Sequence, residues 1–497
     1  MSVERRTVLK SAAAATVAGP FAGLLAAPAG AAHRPPRVDA LVPIKDKRDG
    51  VVRLHLPKGF SYRSFHDTEQ TVTLTDGTVL PGRHDGMGAF VGPDDTVILV
   101  RNHELNNPPP ALPPGNAFGG PNTPAPYDAR ALGGTTTIQT TKQGEVIRSF
   151  TSLNGTMMNC SGGIMPWGSW VTCEETVNGP DVGKDFTNAL NTALQQPHGF
   201  IFEVPASVQP GGGQSNRQPI RNAGRFSHEA VSFDPVHNHL YLTEDNFAFP
   251  SGFYRYRPPS NAMEVGRLDD GGTLEMLKVV GVNNAHLEAH QVQGATYDVE
   301  WKVIEEPWRE FPYTPGEPAP TPNDTALQFV GSQGHAQGTA FFSRLEGQVF
   351  DNGVVFFTST QGGGAAETGP ELIAGFGNGS GQVWAYDTNT SKLRCVFQSS
   401  GPLVLDFPDN VTTSPSGTLV VCEDNNADNF LRGLTPDGEL WDIALNRLRS
   451  SLTGADRSND EFAGSTFSPD GHTLFVNIQA GRGMSFAIWG PWASIGV

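Results

Sequence analysis

The chain has 497 residues and a formal net charge of −17, with 58 glycines, 39 prolines and four cysteines. An acidic balance of that size opposes a general basic surface for nucleic-acid phosphates, so no nucleic acid is expected as a structural partner. No Cys-x-x-Cys pair occurs, which argues against a zinc ribbon.

Residues 1–32 read as a targeting segment. Arg5-Arg6-Thr7-Val8-Leu9-Lys10 is a twin-arginine pattern, an Ala-rich apolar run follows, and Ala29-Gly30-Ala31 offers a cleavage site. The run is too short and too weakly apolar for a stable membrane span. Export by the twin-arginine machinery to the medium, periplasm or cell envelope is expected, without stable membrane insertion. Losing Arg5, Arg6 and Lys10 against Glu4 takes the charge from −17 to −19. Residues 33–50, Pro-rich and basic, read as an N-terminal arm, and 51–497 as one domain. That length exceeds the usual single domain, as repeat architectures routinely do.

Six stretches of this domain follow one plan: a strand, a turn rich in Pro, Asn, Asp or Gly, and a second strand. They run from His84-Asp85 to His103-Glu104, from Gly155 to Glu174-Glu175, and from Ser227-His228-Glu229 to Glu244-Asp245. The next three run from Arg344-Leu345-Glu346 to Thr360-Gln361, from Pro408-Asp409 to Glu423-Asp424, and from Glu461 to Gln479. A third strand opening on glycine and an aromatic residue follows several of them, as at Gly199-Phe200, Gly252-Phe253 and Gly381 to Trp384. Residues 106–127 read as a loop near the first repeat. A long insertion, 258–334, separates the third repeat from the fourth. It holds a possible strand at Trp301–Ile304, a Pro-rich stretch at 312–322 and a short helix from near Asp324, and it reads as a lid or rim. Internal repeats of a multi-strand unit are the signature of a β-propeller. The expected fold is all-β, a six-bladed propeller with long loop insertions, because the repeats stand further apart than the usual ~40–45 residues.

Propeller geometry turns these repeats into a site. The first strand of a blade lines the axis and the second returns beside it, so the start of one and the end of the other share a face. Asp85, Cys160, Glu229, Glu346 and Asp409 hold the opening position in five repeats. Glu104, Glu174, Glu175, Asp245, Glu423 and Asp424 hold the closing position. Carboxylates so gathered repel one another unless cations sit between them. Arg344 precedes Glu346 by two residues and shares its strand face; Arg225 lies four before Glu229. His84, His103 and His228 neighbour the acidic positions and read as hydrogen-bonded structural groups. Cys395 and Cys422 sit in apolar strands and read as buried thiols, whereas Cys160 stands in a Gly-rich polar segment.

Several motifs occur in a set order: Gly-Thr-x-x-Asn-Cys-x-Gly-Gly from Gly155, Pro-Trp-Gly-x-Trp-x-Thr-Cys-Glu-Glu from Pro166, and Gly-Arg-Phe-x-His-Glu from Gly224. Thr-Glu-Asp at 243–245, Arg-x-Glu-Gly at 344–347, Pro-Asp-Asn at 408–410 and Cys-Glu-Asp at 422–424 complete the series. From about Asp85 to the C-terminus the chain resembles the PhoX family of bacterial phosphatases. The resemblance implies a six-bladed propeller and a secreted phosphomonoesterase that uses iron and calcium on a small phosphate ester. A monomer is expected.

A deprotonated cysteine is a soft ligand and suits a transition metal. Glu229, Glu346 and Asp409 would complete with Cys160 the shell of an iron pair resembling that of the family, with Asp85 beside them. Hard oxygen ligands suit calcium, and Glu104, Glu174, Glu175, Asp245, Glu423 and Asp424 are the candidates. Asp424-Asn-Asn-Ala-Asp428 is similar to a calcium loop but lacks its glycine and final glutamate. Arg344 is the first choice for gripping phosphoryl oxygens, and Arg225 the second. The chain departs from the family at Ser227, where phosphatase members tend to carry a lysine. It departs again in the last repeat, which offers Ala463 and Gln479, and at Thr360-Gln361. Two other classes share parts of this pattern, a calcium-dependent lactonase-like propeller hydrolase and a non-catalytic propeller module. The lactonase has no need of Cys160, and the module none of the clustered carboxylates.

Overall fold

A computed structural model describes residues 40–106, 118–209, 211–435 and 438–497. The twin-arginine segment, the start of the arm and residues 107–117 of the first loop lie outside the described residues. Strands β1 (Val42–Lys45), β2 (Val52–Leu56) and β3 (Ser61–Phe65) come before the repeats. The first repeat forms β4 (His84–Val91), β5 (Val97–His103), β6 (Gly133–Thr140) and β7 (Val146–Thr156). The second forms β8 (Asn159–Met165), β9 (Ser169–Glu174) and β10 (Ile201–Pro205). The third opens on β11 (His228–Asp234), β12 (His239–Glu244) and β13 (Phe253–Arg257). Helix α1 (Ala262–Val265), β14 (Thr273–Val279), β15 (Thr296–Val303) and helix α2 (Asn323–His335) occupy the insertion. The fourth repeat is β16 (Leu345–Asp351), β17 (Val354–Ser359), β18 (Gln382–Asp387) and β19 (Lys392–Gln398). The fifth is β20 (Pro408–Thr413), β21 (Leu419–Glu423), β22 (Phe430–Leu434) and β23 (Leu440–Asn446). The last is β24 (Phe462–Phe467), β25 (Thr473–Ile478) and β26 (Met484–Trp489).

The fold is all-β and β-propeller-like, and its sheets differ in number from the expected six blades. Four repeats have a sheet each, whereas the third and fourth share one sheet of nine strands. The reason lies in the insertion. Its strands β14 and β15 continue the third repeat outward, and Thr296–Asp298 of β15 pairs with Lys392–Arg394 of β19. The stretch expected as a lid therefore spends two strands on the sheet, and the helix expected near Asp324 is α2. The arm also contributes to the fold. Its β1 pairs with β2, which adds to the fifth repeat, and β3 completes the last sheet beside β26. This pairing ties the early strands of the described residues to the last one. No helix among the described residues is long and apolar enough to cross a membrane.

The innermost strands follow one another around the axis: β4 packs beside β8, β8 beside β11, β11 beside β16, β16 beside β20, β20 beside β24, and β24 beside β4. Apolar clusters fill the spaces between consecutive repeats. Phe90, Val100, Trp170 and Phe202 do so between the first and second, and Tyr241, Phe253, Phe357 and Trp384 between the third and fourth. A second strand such as β17, Val-Val-Phe-Phe-Thr-Ser, is buried at every residue. Sheets press on both of its faces, so it reads as a continuous apolar run rather than an alternation. The Asn352-Gly353 turn before it takes left-handed φ at both residues, the requirement of a tight type I′ hairpin.

Candidate active site

Every repeat opens with the same irregularity. Its first two strands pair once, or twice in the last repeat, then slip register, between His84/Met87, Asn159/Gly162, His228/Val231, Leu345/Gln348, Pro408/Val411 and Ala463/Thr466. Asp85, Cys160, Glu229, Glu346 and Asp409 stand in the slip. A bulge of this kind frees a residue from the ladder and re-aims its side chain. The carbonyls it releases are taken up by the repeat alongside. Asn102 Nδ2 donates to the Cys160 carbonyl (3.0 Å), Thr243 Oγ1 to that of Glu346 (2.6 Å), Thr358 Oγ1 to that of Asp409 (2.6 Å), and Asn477 Nδ2 to that of Asp85 (2.6 Å). Neighbouring inner strands come so close here that a Cβ on Gly86 or Gly347 would stand 2.6 Å from the Cα of Ser161 or Asn410.

The closing residues are fixed as regularly. Glu104 donates its backbone N–H to Arg83 (3.0 Å), Glu175 to Met158 (2.9 Å) and Asp245 to Ser227 (3.1 Å). Thr360 donates to Arg344 (3.0 Å), Asp424 to Phe407 (3.0 Å) and Gln479 to Glu461 (3.1 Å). Four of these acceptor residues are left-handed: Arg83 at φ 50°, Met158 at 44°, Arg344 at 38° and Phe407 at 50°. For bulky side chains that conformation costs roughly 1–3 kcal/mol each and persists only where the surroundings impose it.

At the centre, ligand atoms of Cys160, Glu175 and Glu229 lie within 4.8 Å of one another, and so do those of Glu229, Glu346 and Asp409. Glu229 belongs to both triads. Asp85 is 3% exposed, Cys160 4%, Glu229 3% and Glu346 7%. Burial, and after it the neighbouring carboxylates, hold Asp85, Glu175, Glu229 and Glu346 well above the usual carboxylate range. The same two causes, burial and then Asp424, push Asp409 up to about 8. Burial followed by Glu229 and Glu175 raises the Cys160 thiol, which donates to the His228 carbonyl at 3.2 Å. Acids whose ionisation is opposed in this way mark a site short of positive charge. Carboxylates shared through Glu229, with the Cys160 thiol beside them, form a donor set that would suit cations.

Two arginines act on the cluster. Arg344 forks onto Asp245, Nε to Oδ1 at 3.0 Å and Nη2 to Oδ2 at 2.7 Å, and reaches Glu346 at 3.3 Å. Its guanidinium lies 5.5 Å from the Phe247 ring centre. Arg83 pairs with the Glu104 carboxylate and donates from Nε to the Glu104 carbonyl at 3.1 Å. The sequence reading passed over Arg83, although Arg83-His84-Asp85 repeats the spacing of Arg344-Leu345-Glu346. It also passed over Glu461 as a site residue. Burial first, then Asp424, Asp409 and Asp85, raise the Glu461 carboxyl, so it stands among them. The last repeat, which lacks acids at Ala463 and Gln479, thus supplies one from the preceding position, while Gln479 Nε2 donates to Asp85 at 2.6 Å.

Strand alternation splits the acidic doublets. Glu175, Asp245 and Asp424 act on the cluster acids, but Glu174 and Glu423 face away from them. Glu174 accepts from the backbone N–H groups of Met157, Gly199 and Phe200 and from His198 at 2.6 Å. His198, between Glu174 and Asp128, has its pKa raised to about 9 against the opposing effect of burial. Glu423 accepts from Asp406, Phe430 and Arg432. Arg225 is likewise not brought to the cluster. Its donors go to Asp181 and to the carbonyls of His198, Arg309, Val177 and Asn178. Asp428 pairs with Arg447 rather than closing a loop on Asp424. His84, His103 and His228 hydrogen-bond to the carbonyls of Pro81, Gly82 and Gly224. All four cysteines are buried and free.

An all-β ring with buried acids, a thiol and two arginines gathered on its axis defines a propeller-like protein with a centre suited to cations. A family model described as alkaline phosphatase PhoX matches residues 40–148 and 138–481. The chain belongs to that family, and it is a phosphoric monoester hydrolase. Among solved structures it is similar to Pseudomonas fluorescens PhoX in complex with vanadate, a transition state analogue, at 16% identity and a TM-score of 0.60, covering 90% of this chain and 97% of that one. Weaker likenesses reach a gluconolactonase from Xanthomonas campestris (12% identity, TM-score 0.36, 93% and 99% covered) and a virginiamycin B lyase from Staphylococcus aureus (11%, 0.37, 86% and 99%). No curated protein matches the sequence.

Proposed function

We propose that this phosphomonoesterase works at a metal cluster in the axial funnel of a six-bladed propeller, the nine-stranded sheet counting as two blades fused at their outer edges. The observation that carries the reading is the pair of triads sharing Glu229, two residues of each buried and the third half-buried, one of them holding the Cys160 thiol. Cys160, Glu229, Glu346 and Asp409 would hold a transition-metal pair, iron by family resemblance. Glu175, expected among the calcium ligands, stands with the thiol. Asp85, Glu104, Asp245, Asp424 and Glu461 would serve calcium, for which hard oxygens are the preferred donors. Such cations, when bound, neutralise the acids and act as Lewis acids on the phosphoryl group.

The chain's own part is positioning. Asp245 fixes two prongs of Arg344 and Phe247 backs its plane, so Nη1, held only by a 3.4 Å contact to Gln361, is the arm that would meet a phosphoryl oxygen. The site is thereby preorganised for charge that grows on the equatorial oxygens. Asn102, Thr243, Thr358 and Asn477 lock the bulges that aim the acids. We further propose export by the twin-arginine route, which carries folded protein and suits a metal-loaded one.

Elemental analysis of protein matured by its native export route, together with hydrolysis of p-nitrophenyl phosphate, tests the reading. Iron or another transition metal should be present, and Cys160→Ala should lose it while keeping much of the calcium. Wild-type protein that hydrolyses the ester with no transition metal bound would overturn the two-metal assignment.

A further inference from the structure

We propose that Arg83 is a second phosphoryl-binding side chain, gripping the substrate from the wall of the funnel opposite Arg344. The inference rests on the phosphatase reading of this same site.

Arg83 and Arg344 hold one structural position in two repeats. Each comes just before the opening strand, each accepts on its carbonyl the N–H of the closing residue, and each is left-handed. The remaining residues at this position are Met158, Ser227, Phe407 and Glu461, so only these two bring a cation. Around the ring of inner strands, β4 and β16 are separated by two strands on either side, which sets the arginines across the axis from each other. Their fields meet there. Arg83 acts on Asp85 and Arg344 on Asp409, and Asp409 in turn acts on Asp85. The span from Arg83 through Asp85 and Asp409 to Arg344 is therefore one continuous electrostatic chain.

The two guanidinium groups are held alike. A carboxylate takes Nη2 of each, and Nε is held by Glu104 or Asp245. Nη1 of Arg83 has no hydrogen bond among the described residues, and Nη1 of Arg344 has one long contact of 3.4 Å to Gln361. The Arg83 side chain is also the more open, 39% exposed against 20%. A phosphomonoester brings a dianion and three equatorial oxygens into a funnel walled by acids. Ions held by these acids would offset their charge, and guanidinium donors would meet phosphoryl oxygens on the solvent side. One arginine on each wall reaches different oxygens of one phosphoryl group. A plain salt bridge steadying Glu104 is the competing role.

The test compares wild type, Arg83→Gln and Arg83→Lys, all metal-loaded and checked for metal content, on p-nitrophenyl phosphate with inorganic phosphate as inhibitor. Arg83→Gln should keep its metal, raise the phosphate inhibition constant about tenfold and lower kcat/KM on the order of 100-fold, as loss of one aimed donor does. Arg83→Lys should recover part of both. An unchanged phosphate inhibition constant in Arg83→Gln, or metal lost in proportion to activity, overturns the proposal. If wild type hydrolyses no phosphomonoester, the phosphatase reading fails by itself. Calorimetric titration with inorganic phosphate then decides on Arg83: unweakened binding by Arg83→Gln, or no binding by wild type, overturns it.

Discussion

The Arg344 guanidinium shows how a single side chain can be both bound and available. Burial alone would lower its pKa, yet Asp245 and Glu346 raise it, so it stays charged at every working pH. A charge fixed by two hydrogen bonds and an aromatic face spends little entropy in meeting its ligand. Arg344→Ala should leave the fold and most of the metal in place and cost ~2–4 kcal/mol of transition-state stabilisation. Arg344→Lys should recover only part, because an ammonium cannot span the Asp245 fork and still present an arm. Steady-state kinetics with metal content measured on the same samples checks this. Near wild-type kcat/KM for Arg344→Ala would refute the phosphoryl contact, and parallel loss of metal and activity would assign Arg344 to holding Asp245.

At the scale of the strand, neighbouring acids do opposite work. Glu174 ends β9 and faces away from the cluster, onto three N–H groups and His198, whose pKa is raised to about 9, so its carboxylate oxygens are taken up by the scaffold. Glu175, one residue on, faces the cluster, where Asp245 and Glu104 oppose its ionisation after burial has already done so. Glu174→Ala should therefore cost ~3–5 kcal/mol, the range for breaking a buried pair and stranding its partner. Glu175→Gln should leave the stability of the metal-stripped protein unchanged or higher, and should weaken metal retention. Denaturant melts of the stripped proteins, beside elemental analysis of the loaded ones, separate the two. A destabilised, metal-free Glu175→Gln protein would contradict the division. The register slip that follows each opening pair belongs to this scale too, since it is the strand irregularity, not the residue, that turns Asp85 or Glu229 toward the axis.

For the whole molecule, the consequence is a stability that depends on what fills the funnel. The raised carboxyls, with Asp409 at about 8, bind protons more tightly folded than unfolded. Their contribution is complete below the ordinary carboxylate pKa near 4 and is lost as pH rises, for Asp409 through about 8. Metal-stripped protein should accordingly show a falling Tm between pH 5 and about 9, while metal-loaded protein should hold its Tm over that window. Scanning calorimetry with and without a chelator measures the difference. A stripped protein whose Tm rises with pH would show that the cluster does not repel itself. The ring can bear this repulsion because its clusters of Phe, Tyr, Trp and Val lie between sheets, away from the axis, and because β3 closes the last sheet onto β26.

The sequence by itself determined the elements and their chemistry. Apolar runs bounded by Pro, Gly and Asn located the repeated strand pairs, since those residues govern local backbone geometry, and the recurrence of polar groups at strand ends, four acids and one thiol, named Asp85, Cys160, Glu229, Glu346 and Asp409. These are local properties, legible within a few residues. What only the tertiary structure decided was which groups meet. The same local pattern, an acid at a strand end, produced Glu174 and Glu175, and only the packing of Gly199 and His198 against one of them shows that it serves the scaffold. Arg225, the second choice after Arg344 from sequence, is taken up by Asp181 and four distant carbonyls that the fold brings around it. Arg83 and Glu461 became site residues through the closing of the ring, which sets the first and last repeats side by side. The sheet shared by the third and fourth repeats depends on β15 finding β19 across nearly a hundred residues of chain. Contacts of that range come from burial and strand pairing over the whole molecule, and no short window of sequence records them.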